Sequence, residues 1–83
     1  MKRSIPPENS LYPEFQRYSQ QLRERITMLR KERGLTQEDM QSFGLSLRQY
    51  QRIESGETEN ITLANLYRLA IAFELTPAEL MDV

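Results

Sequence analysis

Three glycines divide the centre of this chain into two short segments and thereby restrict the structures that it can form. Gly34, Gly44 and Gly56 are the only glycines among the 83 residues. The segments between them show no regular alternation of apolar and polar residues, so neither is typical of a strand. Because glycine readily adopts the left-handed backbone that ends a helix, the spacing predicts two short helices joined by a tight turn at Gly44.

The preceding sequence predicts a longer helix. Residues 13–33 carry apolar side chains at steps of three and four, which indicates one helix with a single inner face. These side chains are Phe15, Tyr18, Leu22, Ile26 and Leu29. Residues 1–12 include Pro6-Pro7, which breaks a helix. We therefore expect residues 1–12 to form a flexible N-terminal arm and residues 13–83 to form one helical domain.

Two capping pairs are expected to begin the central helices. Thr36 with Asp39 would cap the second helix, and Ser46 with Gln49 would cap the third. In the third helix, Tyr50 lies three residues before Ile53, a spacing that favours a core position for this aromatic side chain.

The sequence after Gly56 predicts two more helices. Thr62 is expected to begin the fourth, and Thr76 with Glu79 forms a capping box, with Pro77 at the first position of the fifth. The inner stripe of the fourth helix would comprise Leu63, Leu66, Leu69, Ala70 and Phe73, with Tyr67 on its flank. The predicted fold is therefore all-α, a compact domain of five helices with an extended first helix.

The composition excludes most catalytic chemistry. The chain has no cysteine and no histidine, so it lacks thiolate metal ligands and the commonest general base. Its carboxylates are scattered, and no glycine-rich loop could hold a phosphate. We expect no enzyme activity, catalytic residue, metal site or cofactor. No segment approaches the roughly 20 apolar residues of a membrane span, which favours a cytoplasmic protein without a membrane partner.

Charge is unevenly distributed although the net charge is only −1. Residues 16–52 hold eight cations and four anions, whereas residues 53–83 hold one cation and six anions. The basic region could attract phosphate, and the acidic region would limit non-specific affinity. The alternative is an ordinary solvated surface with uneven charges. Lys2 and Arg3 would lie in the arm, either in a disordered tail or in a segment that enters a DNA groove.

Three blocks of the sequence resemble one known family. LRKERGLTQED, LSLRQYQRIESGE and ITLANLYRLAIAFELTPAEL are similar, in this order, to the lambda-repressor and Cro type of helix-turn-helix, the xenobiotic-response-element family. The resemblance covers about residues 22–81. It implies five helices and sequence-specific binding of double-stranded DNA, usually as a dimer that acts in transcription. Some members of the family are antitoxins that also bind a protein.

The resemblance also implies roles for individual residues. Side chains at the outward positions of the third helix, which read bases, are Arg48, Gln49, Gln51 and Arg52. Phosphate contacts are implied for Thr36, Gln37, Ser46 and Asn60. Arg30 and Glu54 match a pair that commonly forms a partly buried salt bridge between the first and third helices. Arginine can bind guanine in the major groove through two N–H groups, and glutamine can pair with adenine in the same way.

The second helix departs from the family pattern. The segment from Gln37 to Gly44 is one residue shorter than usual, which places Met40 or Gln41 where the family has a small residue. Either the turn absorbs the deletion or the third helix lies at an altered angle.

The expected partners are double-stranded DNA and a second copy of the chain. A homodimer would bind a pseudo-palindromic operator. Its contacts would come from Leu80, Met81 and Val83 in and after the fifth helix, or from the aromatic N-terminal extension: Tyr12, Phe15 and Tyr18. These aromatic residues could instead extend the core. The alternative function is a protein-interaction module, such as an antitoxin, that binds its partner through the N-terminal extension and binds DNA only secondarily.

Overall fold

The computed structural model describes residues 5–83, so the expectations for Lys2 and Arg3 lie outside the described residues. Residues 5–83 form five helices and no strand, which confirms the all-α prediction. The elements are α1 (Tyr12–Glu32), a 3-10 helix (Glu38–Phe43), α2 (Leu47–Ser55), α3 (Leu63–Ala72) and α4 (Pro77–Met81). Helix α1 packs against α2 and α4, while α3 packs against α4 and the 3-10 helix.

Helix α1 contains 21 residues and is therefore about 31 Å long. It begins at Tyr12, one residue before the predicted start and inside the stretch expected to form the arm. Ahead of it, residues 5–11 form hydrogen-bonded turns, in which the Asn9 N–H donates to the Pro6 carbonyl at 3.0 Å. The C-terminal part of α1 buries Leu22, Ile26 and Leu29, as the apolar spacing predicts.

The aromatic side chains in the N-terminal part of α1 contact other parts of their own chain. The Tyr18 hydroxyl donates to the Met81 carbonyl, and the Tyr12 hydroxyl donates to the Glu59 carboxylate at 3.0 Å. Tyr12, Phe15 and Tyr18 are all half-buried. These contacts hold Tyr12 and Tyr18 against their own domain, although none of the three aromatic residues is among the buried core or the partly buried side chains packed against it.

The second helix is wound as a 3-10 helix, not as an α-helix. A 3-10 helix rises about 2.0 Å per residue and an α-helix about 1.5 Å, so six residues of the former span about as much as eight of the latter. The tighter winding therefore accommodates the shortened segment. Met40 is completely buried and Gln41 is exposed, so Met40 is the one of these two residues that takes the inward position. The expected pairing of Thr36 with Asp39 forms, one residue ahead of the helix cap at Gln37.

The core lies between the helices and confirms the central position of Tyr50, which is completely buried. Its members are Leu22, Ile26, Leu29, Met40, Leu45, Tyr50, Ile53, Leu69, Ala70, Ala72, Phe73 and Leu80. The prediction for Leu63 is wrong, because 79% of this residue is exposed. Leu63 is the first residue of α3 and lines up with Tyr67, four residues further on, which is also exposed.

Helix α4 is fixed at both ends. The predicted capping box of Thr76 and Glu79 forms at its start. At its end, the Arg25 guanidinium donates to the Leu80 and Glu79 carbonyls at 3.2 and 3.0 Å. Leu80 is completely buried, so the expectation that it forms a dimer contact is wrong: its side chain is part of the core of its own molecule. Met81 is partly buried, and Val83 is 42% exposed.

Candidate nucleic-acid interface

Helix α2 is anchored on one face and open on the other. Tyr50 and Ile53 point into the core, with exposed fractions of 0% and 2%. The four residues expected to read bases are all exposed: Arg48, Gln49, Gln51 and Arg52. The helix begins at the predicted cap, where the Ser46 hydroxyl accepts the Gln49 N–H at 3.1 Å. Because its inner face is held in the core, α2 presents the long polar side chains of its outer face in a fixed orientation.

An ion pair fixes α2 to α1. Nε of Arg30 lies 2.6 Å from Oε2 of Glu54, and a second guanidinium nitrogen lies 3.3 Å from Oε1. Both side chains are about nine-tenths buried, with exposed fractions of 11% and 10%. Arg30 also donates to the Leu35 carbonyl at 2.8 Å. One arginine therefore joins α1, α2 and the segment that leads into the 3-10 helix.

The Tyr50 hydroxyl donates to the same carboxylate. The sequence predicts a core position for Tyr50 but not this contact. Tyr50 and Glu54 are four residues apart on one helix, and this spacing could have indicated that they meet. Burial raises the pKa of the Tyr50 hydroxyl, and the adjacent carboxylate raises it further. Burial also raises the pKa of Glu54, but the hydrogen bonds from Arg30, Tyr50 and Gln37 outweigh that effect, so this pKa lies below its usual value. Glu54 is therefore a buried carboxylate that stays ionised at neutral pH.

Gln37 connects this buried carboxylate to the exposed face of α2. Its Nε2 donates to Oε1 of Glu54 at 3.0 Å, and its Oε1 accepts from Nε2 of Gln51 at 3.3 Å. Because a carboxylate can only accept hydrogen bonds, it determines which end of the Gln37 amide faces it. Gln37 in turn determines the orientation of the Gln51 amide. The structure thus brings together one residue expected to contact phosphate and one expected to read a base.

Besides Gln51, two more of the predicted base-reading residues have partners within the chain. Oε1 of Gln49 accepts from the Ser46 N–H and hydroxyl, each at 3.4 Å, in the capping box of α2. Nε of Arg52 lies 3.5 Å from the carboxylate of Glu57, an exposed pair that sequence spacing did not indicate because the residues are five apart. Arg48 and Gln51 lie beside Arg52 along a polar depression on the exposed face of α2.

The predicted phosphate contacts are distributed around α2. Ser46 is at its start, and Asn60 lies in the loop after it, in a depression shared with Gln49 and Arg52. Thr36 stands apart: its N–H donates to the Asp39 carboxylate at 2.8 Å, and this contact lowers the pKa of Asp39. An incoming phosphate would have to replace that carboxylate.

No helix in residues 5–83 has the length and apolar character needed to cross a membrane. Within the same residues, no group of three acidic side chains is arranged to hold a metal ion.

These features define a helix-turn-helix domain: two short helices joined at Gly44, the second fixed by a buried ion pair and carrying cations and amides outward. A family model described as helix-turn-helix matches residues 26–80. The chain therefore belongs to the helix-turn-helix family of lambda repressor and Cro, as its sequence resemblance implies. Comparison with curated proteins and with solved structures gave no match. Membership of this family supports a DNA-binding regulator and gives no indication of catalysis.

Proposed function

We propose that this chain is a sequence-specific regulator of transcription that acts in the cytoplasm as a homodimer on a pseudo-palindromic operator. Each α2 would lie in the major groove, with Arg48, Gln49, Gln51 and Arg52 reading bases. Contacts to phosphate from Thr36, Gln37, Ser46 and Asn60 would set the register of the protein on the duplex. Two-fold symmetry would place the half-sites about one helical turn apart.

The observation that carries this proposal is the two-sided environment of α2. Its inner residues are completely or almost completely buried, and its outer residues are exposed along a polar depression. Arg48 and Arg52 lie one turn apart and so project from nearly the same face. Arginine can bind O6 and N7 of guanine through two parallel N–H groups. Two arginines on one exposed face are therefore suited to reading guanine bases.

The alternative, a protein-interaction module bound through the N-terminal extension, is less well supported. The hydroxyl groups of Tyr12 and Tyr18 are used in contacts within the molecule. A partner that bound there would have to displace these contacts.

In-vitro selection of random duplex DNA tests the proposal. We expect the protein to enrich a palindrome and the Arg48→Ala, Arg52→Ala double variant to lose this enrichment. The matched control is Arg17→Ala with Lys31→Ala, which removes the same charge from exposed positions on α1. This control should enrich the same palindrome with lower affinity.

Two results would contradict the proposal. Equal loss of enrichment in the control and the α2 variant would mean that charge alone attracts DNA. No enrichment by the unaltered protein at low salt would favour the protein-interaction module. A pull-down that compares the full chain with a variant lacking residues 1–20 would then test whether this segment binds a partner.

A further inference from the structure

Helix α3 carries an apolar ridge on its outer face. Leu63, Tyr67 and Ile71 are 79%, 56% and 50% exposed. Residues four apart are neighbours on a helix, so these side chains line up over about 12 Å. The other large exposed apolar residues of the described chain are Leu11, Met28 and Val83, which lie on or beside other helices. A contiguous apolar patch of this kind marks an interaction surface more often than scattered single residues do.

The ridge includes a shallow, mostly apolar depression. It is lined by Leu63, Ala64, Tyr67 and Arg68. The guanidinium group of Arg68 has partners of its own: one nitrogen donates to Oδ1 of Asn65 at 2.8 Å, and Nε lies close to Gly44. Beside the small side chain of Ala64, the depression could receive one branched apolar side chain.

We propose that a second copy of this chain docks on the ridge, with the two α3 helices antiparallel across a two-fold axis beside Tyr67. An interface of this symmetry requires a surface that is complementary to itself. The ridge satisfies that requirement because Leu63 and Ile71 are each four residues from Tyr67. The axis places Leu63 of one copy opposite Ile71 of the other and the two Tyr67 rings against each other. Each Ile71 then enters the depression of the other copy as a knob enters a hole.

The proposal rests on the proposed DNA-binding function for its biological role. Stable interfaces bury about 1,200–2,000 Å² in total, and one pair of ten-residue helices falls at or below the low end of that range. The dimer in solution is therefore weak, and DNA with two half-sites strengthens it. The ridge starts next to the recognition surface, because Thr62 and Asn65 share a depression with Gln49 and Arg52. The proposed axis beside Tyr67 lies about 8 Å along α3 from Thr62, where that shared depression begins.

Opposite charges introduced on the two sides of the axis test this interface specifically. Sedimentation equilibrium of the full chain measures how strongly each variant dimerises. Leu63→Glu and Ile71→Lys should each weaken the dimer at least tenfold, since a charge then faces an apolar side chain. An equimolar mixture of the two variants should regain the dimer, because one contact becomes an ion pair and the other stays apolar. Met28→Glu is the control for Leu63→Glu: it adds the same negative charge on α1, at a residue that is 46% exposed, and should leave the dimer unchanged.

The same variants separate this proposal from the DNA-binding proposal. On DNA with two half-sites, each single variant should lose about 5- to 150-fold more affinity than it loses on DNA with one half-site, which measures any direct effect of the added charge on DNA. The proposal is overturned if both variants dimerise like the unaltered chain, or if their mixture stays monomeric although thermal melts show each variant folded. Failure of the unaltered chain to bind even one half-site would instead overturn the DNA-binding proposal, and sedimentation would still decide the dimer.

Discussion

The carboxylate of Glu54 accepts hydrogen bonds from three side chains that lie on three parts of the chain. Arg30 belongs to α1, Gln37 precedes the 3-10 helix, and Tyr50 belongs to α2 itself. Among the described residues, no buried side-chain nitrogen or oxygen lacks a partner. A buried polar network of this kind is stable only when it is fully satisfied, because an unpaired member retains its desolvation cost. This one carboxylate therefore links α2 to α1 and to the segment before the 3-10 helix.

Removal of Arg30 should be costly because it leaves that carboxylate buried without a counter-charge. We expect Arg30→Met to lower the free energy of unfolding by about 3 kcal/mol. The double variant Arg30→Met, Glu54→Gln should lose less, since no charge is stranded and the single amide oxygen can still accept from either Tyr50 or Gln37. Urea denaturation of both variants measures the difference. A double variant less stable than Arg30→Met would show that the ion pair is not the main contribution.

The same carboxylate should make stability depend on acid. The pKa of Glu54 is lowered from an ordinary value of 4.5, and the pKa values of Asp39 and Glu79 are also lowered, each by contacts to a capping threonine. Because these groups bind protons more readily when unfolded, the stability they contribute is present above about pH 4.5 and is lost as the pH falls through their folded-state pKa values. Thermal melts should show a falling Tm below this pH. The Tm of Glu54→Gln should fall less steeply; an identical slope would assign the effect to other groups.

Gln37 should influence which base Gln51 reads, in addition to any contact with phosphate. With one Gln51 N–H held by Gln37, the Gln51 amide keeps its oxygen and its other N–H for adenine N6 and N7. We expect Gln37→Ala to reduce the preference for adenine at one position by up to about tenfold, part of the 1–3 kcal/mol that a bidentate pair supplies. Affinities for the four base substitutions at that position measure it. Uniform weakening on all four sequences would leave Gln37 as a phosphate contact only.

For individual helices, the sequence predicted the caps and the apolar faces, but not how the helices pack against one another. The capping boxes at Ser46 and Thr76 and the stripe of α1 depend on residues within one or two turns, and all of them form. The 3-10 winding of the second helix and the exposure of Leu63 depend on how distant helices cover each segment. A pattern of apolar residues in one segment does not contain that information.

The ends of the helices give a prediction at this scale. Gly34 and Gly56 both have positive φ, at 68° and 87°, where a side chain costs roughly 1–2 kcal/mol. A Cβ at Gly34 would meet nothing within 4 Å, whereas one at Gly56 would lie 2.1 Å from a guanidinium nitrogen of Arg23. Gly56→Ala should therefore destabilise the protein slightly more than Gly34→Ala in urea denaturation, because the flexible end of Arg23 must move aside. The difference should disappear in an Arg23→Ala background; if it persists, Arg23 is not its cause.

For the molecule as a whole, the sequence predicted which surface carries the exposed cations and amides, but not the partners those side chains have. Gln51 meets Gln37 from fourteen residues away, and Arg52 meets Glu57 beyond the end of its helix. These contacts arise because the turn at Gly44 and the loop after Gly56 fold back on α2. The acidic half of the chain thus reaches the exposed face of α2, and we expect this to weaken binding to DNA of any sequence.

Glu57 should restrain non-specific binding because its carboxylate offsets the charge of Arg52 and would repel the phosphates of DNA bound at α2. The pair is exposed, with side-chain accessibilities of 44% and 69%, so it contributes little to stability. Glu57→Gln should strengthen binding to random duplex DNA and steepen the dependence of log affinity on log salt by about 1 per protomer. The matched control is Glu32→Gln, which changes the net charge equally at an exposed position in α1. Titrations across a range of salt concentrations measure both slopes. If the two variants steepen the slope equally, net charge and not the Arg52–Glu57 pair governs non-specific affinity.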